Sequence, residues 1–188
     1  SKGLALTVDG NARYCALDPR RGGRIAVAEA ARNLSCAGAE PIGLTDCLNF
    51  GNPERPEVMW EFSEAVEGMS EACRALGVPV VSGNVSFYNE TGGENIHPTP
   101  TVGMVGLLED AAGFCPAAFQ REGDCVALLG PWGGESSNAG LGGSAYLWNV
   151  LGMGRGPCPP VDLEREAALH RLCRRAVSDG ILSSCHDV

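Results

Sequence analysis

The run from Pro56 to Leu76 constrains the fold more than any other part of the chain. Met59, Phe62, Val66, Met69, Cys73 and Leu76 recur at alternating steps of three and four, which lays one continuous apolar stripe along a helix. Pro56 suits the first turn, and Gly77 is placed to stop the helix. On either side stand β-rich stretches, "PIGLTDCLNF" before and "VPVVSG" after. A helix of this kind buries its stripe against a neighbouring layer, so the Met and aromatic residues are read as core packing rather than as a cofactor contact.

The same alternation extends in both directions. Leu4 to Val8 is β-rich and ends at the turn signal Asp9-Gly10-Asn11. From Arg24, the residues Ile25, Ala28, Ala31 and Leu34 fall at helical spacing, with Gly38 as the residue that closes the run. Thr101 to Leu108 reads as a fourth strand. The order strand, helix, strand, helix, strand, strand predicts a layered α/β unit over residues 1–110, a mixed sheet with helices on one face. The composition breaks at "EDAAGFCPAAFQREGD". Beyond it are expected a short strand at Cys125 to Leu129, a Gly-rich loop and a helix near Gly142 to Leu151. A Pro-rich link, a helix from Leu163 to Val177 and a strand beginning at Ile181 complete the reading. Residues 111–188 are thus expected to form an incomplete second α/β domain, and the chain to be a fragment of a larger protein.

Composition removes several function classes. The net charge is −9 and the 14 Lys and Arg residues are dispersed, so no basic footprint exists for nucleic acid or an anionic membrane. No apolar run approaches the roughly 20 residues of a membrane helix, and a cytoplasmic protein is expected. The nine cysteines are odd in number and form no CxxC pair, while Cys73, Cys125 and Cys173 sit in apolar stretches. They are read as reduced thiols rather than as disulfides or metal ligands. His97, before Pro98, and His170, beside Arg171, are expected to be solvated rather than catalytic.

Two polar stretches, Thr45 to Asn52 and Ser82 to Ser86, are placed at the ends of the second and third strands, where α/β sheets gather ligands. Asp46 and Asn84 carry oxygen ligands of the kind Mg²⁺ accepts. Gly83 lets a backbone amide approach an anion, and Ser86 offers a hydroxyl. Taken singly, the same residues are ordinary turn chemistry. The Gly-rich "LGPWGGESSNAGLGGSAYL" could cradle a phosphate at the start of the helix near Gly142, but it has neither the Lys-Ser/Thr ending of a P-loop nor a GxGxxG, so a structural turn stands as an equal reading.

Long strings change that balance. "TVDGNARYCALDPRRGGRIAVAEAARNLSCAGAEPIGLTDCLNFGNPE", "MWEFSEAVEGMSEACRALGVPVVSGNVSFYNETG" and "IHPTPTVGMVGLLED" resemble the second half of phosphoribosylformylglycinamidine synthase, the large synthetase subunit of purine biosynthesis. "LGGSAYL", "PPVDLEREAAL" and "HDV" resemble the opening of that family's following domain. The resemblance implies an ATP-dependent ligase that turns formylglycinamide ribonucleotide and glutamine-derived ammonia into formylglycinamidine ribonucleotide. It implies the fold of aminoimidazole ribonucleotide synthetase, whose sheet pairs with a second copy. By motif, Asp46 and Gly83 would contact ATP, Asn84 would ligate Mg²⁺ and Ser86 would touch the ribonucleotide. Asp9, Asn11, Arg13 and Asp18 match a family stretch expected to pack against the cleft, without a catalytic role. The family's catalytic His, ATP-binding Lys and main acidic ligands lie in the other half, so the implied partners are that half, a glutaminase subunit and a small accessory subunit. Alone, the chain is expected to be inactive and to form a homodimer. A sheet-pairing scaffold without catalysis, or another synthetase of the same superfamily, is the alternative.

Overall fold

A computed structural model describes residues 1–130 and 141–188. In chain order the first elements are β1 (Gly3–Asp9), α1 (Ala12–Leu17), α2 (Pro19–Cys36), β2 (Glu40–Asn49), α3 (Pro56–Leu76) and β3 (Val80–Ser86). A two-stranded hairpin, β4 (Glu90–Thr91) and β5 (Glu94–Asn95), leads to β6 (Thr99–Leu108), a 3₁₀ turn at Ala111–Gly113, α4 (Ala145–Leu151) and α5 (Leu163–Ser178). Four strands make one sheet in the order β1-β6-β2-β3. β2 and β3 run parallel, joined by the crossover helix α3, and the other two pairings are antiparallel. The sheet is therefore mixed, as the sequence predicts.

α2 and α3 cover one face of the sheet, and α5 packs on both of them. The core between layers holds Val27 and Leu34 from α2, Met69 from α3, and Leu44, Val102 and Met104 from the sheet. The two helices approach closely because both are glycine-bearing at the contact. A Cβ on Gly68 would stand 1.9 Å from the Arg20 carbonyl oxygen, and one on Gly23 2.4 Å from that of Ala65. Beside this contact Arg20 and Arg24 of α2 both donate to Glu71 of α3, which holds the Glu71 carboxyl down at about 2.

Local chemistry explains the helix ends. The Asn11 side chain accepts from the Arg13 and Tyr14 amides to start α1, and that of Asp18 accepts from the Arg21 amide to start α2 with Pro19 in its first turn. Asn11 and Asp18 thus act as caps, while the Arg13 guanidinium donates to the Gly143 carbonyl at 2.8 Å. Gly38 (φ +89°) and Gly77 (φ +70°) end α2 and α3 in left-handed conformations.

Several expectations are corrected. α2 begins five residues before Arg24, preceded by the unforeseen α1, because the Asp18-Pro19 start outweighs the weak propensity of Gly22 and Gly23. Cys125 to Leu129 and the segment from Ile181 form no strand, since neither meets a strand to pair with among the described residues. Met59 is 40% exposed, and Val58 and Ala65 take the inward positions instead. Cys73 and Cys173 are buried as expected, but Cys125 is exposed. His170 is buried, not solvated: only 2% exposed, it stands with Nε2 3.0 Å from Glu166, which also accepts from Arg32 at 3.2 Å. That polar partnership allows an imidazole inside the α2–α5 interface. His97 is exposed, as expected. The Gly-rich stretch lies largely outside the described residues, which resume at Leu141.

Candidate functional site

The two polar stretches lie mostly within the strands rather than beyond them: only Phe50 to Asn52 pass the end of β2. Asp46 lies within β2, and Gly83, Asn84 and Ser86 lie within β3, an edge strand of the sheet. Their parallel register sets Asp46 beside Gly83, Cys47 beside Asn84 and Asn49 beside Ser86. Because side chains alternate between faces, the four candidates divide into two pairs. Asp46 shares the helix-covered face with Leu44 and Leu48, whereas Asn84 and Ser86 belong with Thr45, Cys47 and Asn49 on the open face.

Asp46 and Gly83 are fitted to each other. A Cβ on Gly83 would lie 2.2 Å from Asp46 Oδ1, so the missing side chain is the space the carboxylate occupies. Burial on the helix side raises the Asp46 carboxyl above its ordinary range. The carboxyl in turn helps burial to push the Cys73 thiol up to about 11.

On the open face, polar groups satisfy one another in rows. Ser82 Oγ donates to Thr45 Oγ1 at 2.7 Å. Asn84 Nδ2 lies 3.6 Å from Cys47 Sγ, which leaves its Oδ1 as the atom available to a cation. Asn49 Nδ2 is 3.4 Å from the same sulfur. Among the described residues no group of three or more His, Cys, Asp and Glu side chains is arranged to hold a metal ion. Asn84 therefore fits as one ligand of a Mg²⁺ whose remaining ligands come from phosphate, water or another chain segment.

The ends of the parallel pair are clamped. Phe50, fully buried, meets Phe62 of α3 at 5.2 Å between ring centroids, and Phe62 meets Phe87 at 5.2 Å. Asn89 Nδ2 donates to the Phe50 and Ser86 carbonyls, both at 3.0 Å, and lies 3.2 Å from Ser86 Oγ. Between them Tyr88 takes φ +59°, the only non-glycine residue in left-handed space among those described, with its amide bonded to the Gly51 carbonyl at 2.9 Å. Sequence reasoning passed over Cys47, Tyr88 and Asn89. Only Asn89 carried a signal, an amide three residues after a serine at a strand end.

Residues 1–108 match the family model for AIR synthase related protein, N-terminal domain. The chain belongs to that family. Within it, the chain is 58% identical over its whole length to phosphoribosylformylglycinamidine synthase subunit PurL of Moorella thermoacetica, and 56% identical over 99% of its length to that of an Anaeromyxobacter strain. It spans about a quarter of the length of these curated relatives, 25% and 24% respectively. Among solved structures it superposes on Thermotoga maritima PurL complexed with FGAR with a TM-score of 0.66, at 26% identity over 95% of this chain and 24% of that one. A second T. maritima synthase structure gives a TM-score of 0.58 at 34% identity, over 62% of this chain and 20% of that one. The AIR synthase-related fold thus accounts for the mixed sheet with helices on one face.

Proposed function

We propose that this chain is part of an ATP-dependent ligase of purine biosynthesis that converts formylglycinamide ribonucleotide and glutamine-derived ammonia into formylglycinamidine ribonucleotide. The observation that carries the reading is whole-length identity of 58% to a PurL subunit. Structures of T. maritima PurL with ATP and with FGAR support the same ligand classes. In this reading Asp46 and the Gly83 backbone contact ATP, the Asn84 carboxamide holds Mg²⁺ and Ser86 meets the ribonucleotide. Mg²⁺ would supply charge neutralisation at the phosphates. The chain's own part is to fix those groups on a rigid parallel pair, clamped by Phe50, Phe62 and Phe87. Residues 1–110 would form the sheet domain and residues 111–188 the start of the next domain. Partners would be the remaining polypeptide, a glutaminase and a small accessory subunit, the last two in keeping with a PurLQS structure from T. maritima. The enzyme would act in the cytoplasm; no helix among the described residues is long and apolar enough to cross a membrane.

Asn84→Ala in the full-length subunit tests the reading. Loss of one positioned electrostatic contact lowers turnover on the order of 10²-fold and shifts the Mg²⁺ requirement upward. The melting temperature should stay near wild type, because Asn84 is an exposed residue on an edge strand. Normal turnover with unchanged Mg²⁺ dependence would defeat the assignment.

A further inference from the structure

Four of the nine cysteines converge at one place away from the candidate site. The Cys115 amide donates to the Ala37 carbonyl at 3.1 Å, next to Cys36 at the end of α2, and the Cys185 amide donates to the Pro116 carbonyl at 3.0 Å. Arg174 of α5 donates to Ser35 of α2 at 2.9 Å, which brings the neighbouring Cys173 to the same spot. The Cys185 thiol acts on both neighbours, adding to the burial that raises the Cys36 and Cys173 thiols. Cys36, Cys115 and Cys173 are buried, and Cys185 alone is partly open to solvent. Such a set has one thiol that an oxidant can reach and sheltered thiols on the segments bonded beside it. That is the arrangement of an attacking and a resolving cysteine.

We propose that Cys185 and Cys36 form a reversible disulfide that ties the segment bearing His186 and Asp187 to the end of α2. Cys36 is preferred over Cys173 because it is the last residue of its helix, where the backbone can adjust, whereas Cys173 lies inside α5. With a peroxide as oxidant, the Cys185 thiolate attacks one peroxide oxygen, the O–O bond breaks, and a sulfenic acid and hydroxide form, the hydroxide taking up the proton released when the Cys185 thiol ionised and leaving as water. The Cys36 sulfur then attacks the sulfenyl sulfur; the S–S bond forms and hydroxide leaves, taking the Cys36 proton as water. Two electrons pass from the two sulfurs to the peroxide. Burial pushes the Cys36 thiol up, with the Cys185 contact adding to it, which suits Cys36 to the resolving step rather than to direct oxidation. Asp187, which approaches Arg32 of α2 at 3.9 Å, would then be held covalently as well as by charge.

The test is peptide mapping of the full-length polypeptide after brief exposure to hydrogen peroxide. Trypsin releases Cys36 within Asn33–Arg74, Cys173 within Leu172–Arg174 and Cys185 in the peptide that starts at Ala176. The expected product is the Asn33–Arg74 peptide joined to the Ala176 peptide, two hydrogens lighter than their sum. Fragmentation places the bridge on Cys36 rather than on Cys47 or Cys73. The free Cys185 peptide is lost in parallel and returns with dithiothreitol. Deuterium uptake over residues 181–188 falls on oxidation and recovers on reduction. Cys47→Ser keeps the bridge and Cys36→Ser loses it; should the latter misfold, the wild-type map decides alone. A bridge from Cys185 to Cys173 or Cys115, a Cys185 that stays free, or uptake unchanged by the bridge would each overturn the proposal.

Discussion

Gly83 lacks a side chain in the space that Asp46 Oδ1 fills, and this one contact makes the pair testable. Asp46 is short, and its strand allows it few rotamers, so an added methyl would force the carboxylate aside. Gly83→Ala should cost about 1–3 kcal/mol, much of which Asp46→Ala in the double variant should return. Asp46→Asn gives the electrostatic half of the argument. A carboxyl whose folded-state pKa is raised by burial contributes most when protonated, and that contribution disappears as pH rises through the raised value. The Asn variant should therefore be the more stable protein at pH 7, with the gap closing as pH falls toward about 3.9, the ordinary aspartate value. ATP affinity should fall in the same variant if the carboxylate meets nucleotide, which denaturation and titration calorimetry can measure side by side. Residue types at this site are legible in the sequence, since Asp, Asn, Gly and Ser are named at these positions. Their division between two faces is not, because stretches read as strand ends carry no alternation to assign each side chain a face.

At the scale of elements, α3 was legible almost to the residue, since Pro56, the apolar stripe and Gly77 each act locally. What sequence does not display is how near its neighbour lies. Gly68 is unfavourable inside a helix by roughly 1 kcal/mol against Ala, and only the α2 backbone next to it makes a side chain there worse. Gly68→Ala should therefore destabilise by about 2 kcal/mol or more despite the better helix former, because backbone, unlike a side chain, cannot rotate away. A raised melting temperature would show that the helices do not touch there. The strands expected at Cys125 and Ile181 mark the opposite limit. Their patterns are β-rich, but a strand depends on a partner elsewhere in the chain, which no local pattern supplies.

For the whole molecule, the open sheet face decides what the chain does alone. It has an apolar half, where Leu4, Leu6 and Val8 are 67%, 75% and 74% exposed beside Val105 and Leu107, and a polar half at β2 and β3. Four strands at about 4.8 Å spacing and seven residues at about 3.3 Å rise give a face of roughly 400 Å² in projection, about half of it apolar and uncovered. In the proposed enzyme a second copy of this fold, within the same polypeptide, would cover it. The isolated chain should use another copy of itself, pairing the same patch two-fold. At tens of micromolar, sedimentation equilibrium should report a dimer, the range in which a modest specific interface holds. Leu6→Lys should return a monomer, since two charges would face each other across the axis in a desolvated interface. Its monomer fold should survive, because Leu6 lies 75% exposed and leaves the helix-side core untouched. A wild-type chain that sediments as a monomer would mean that the face is adequately solvated alone. A Lys variant that still dimerises would move the interface to the unpaired edge of β3, where the backbone rather than the side chains would carry the pairing.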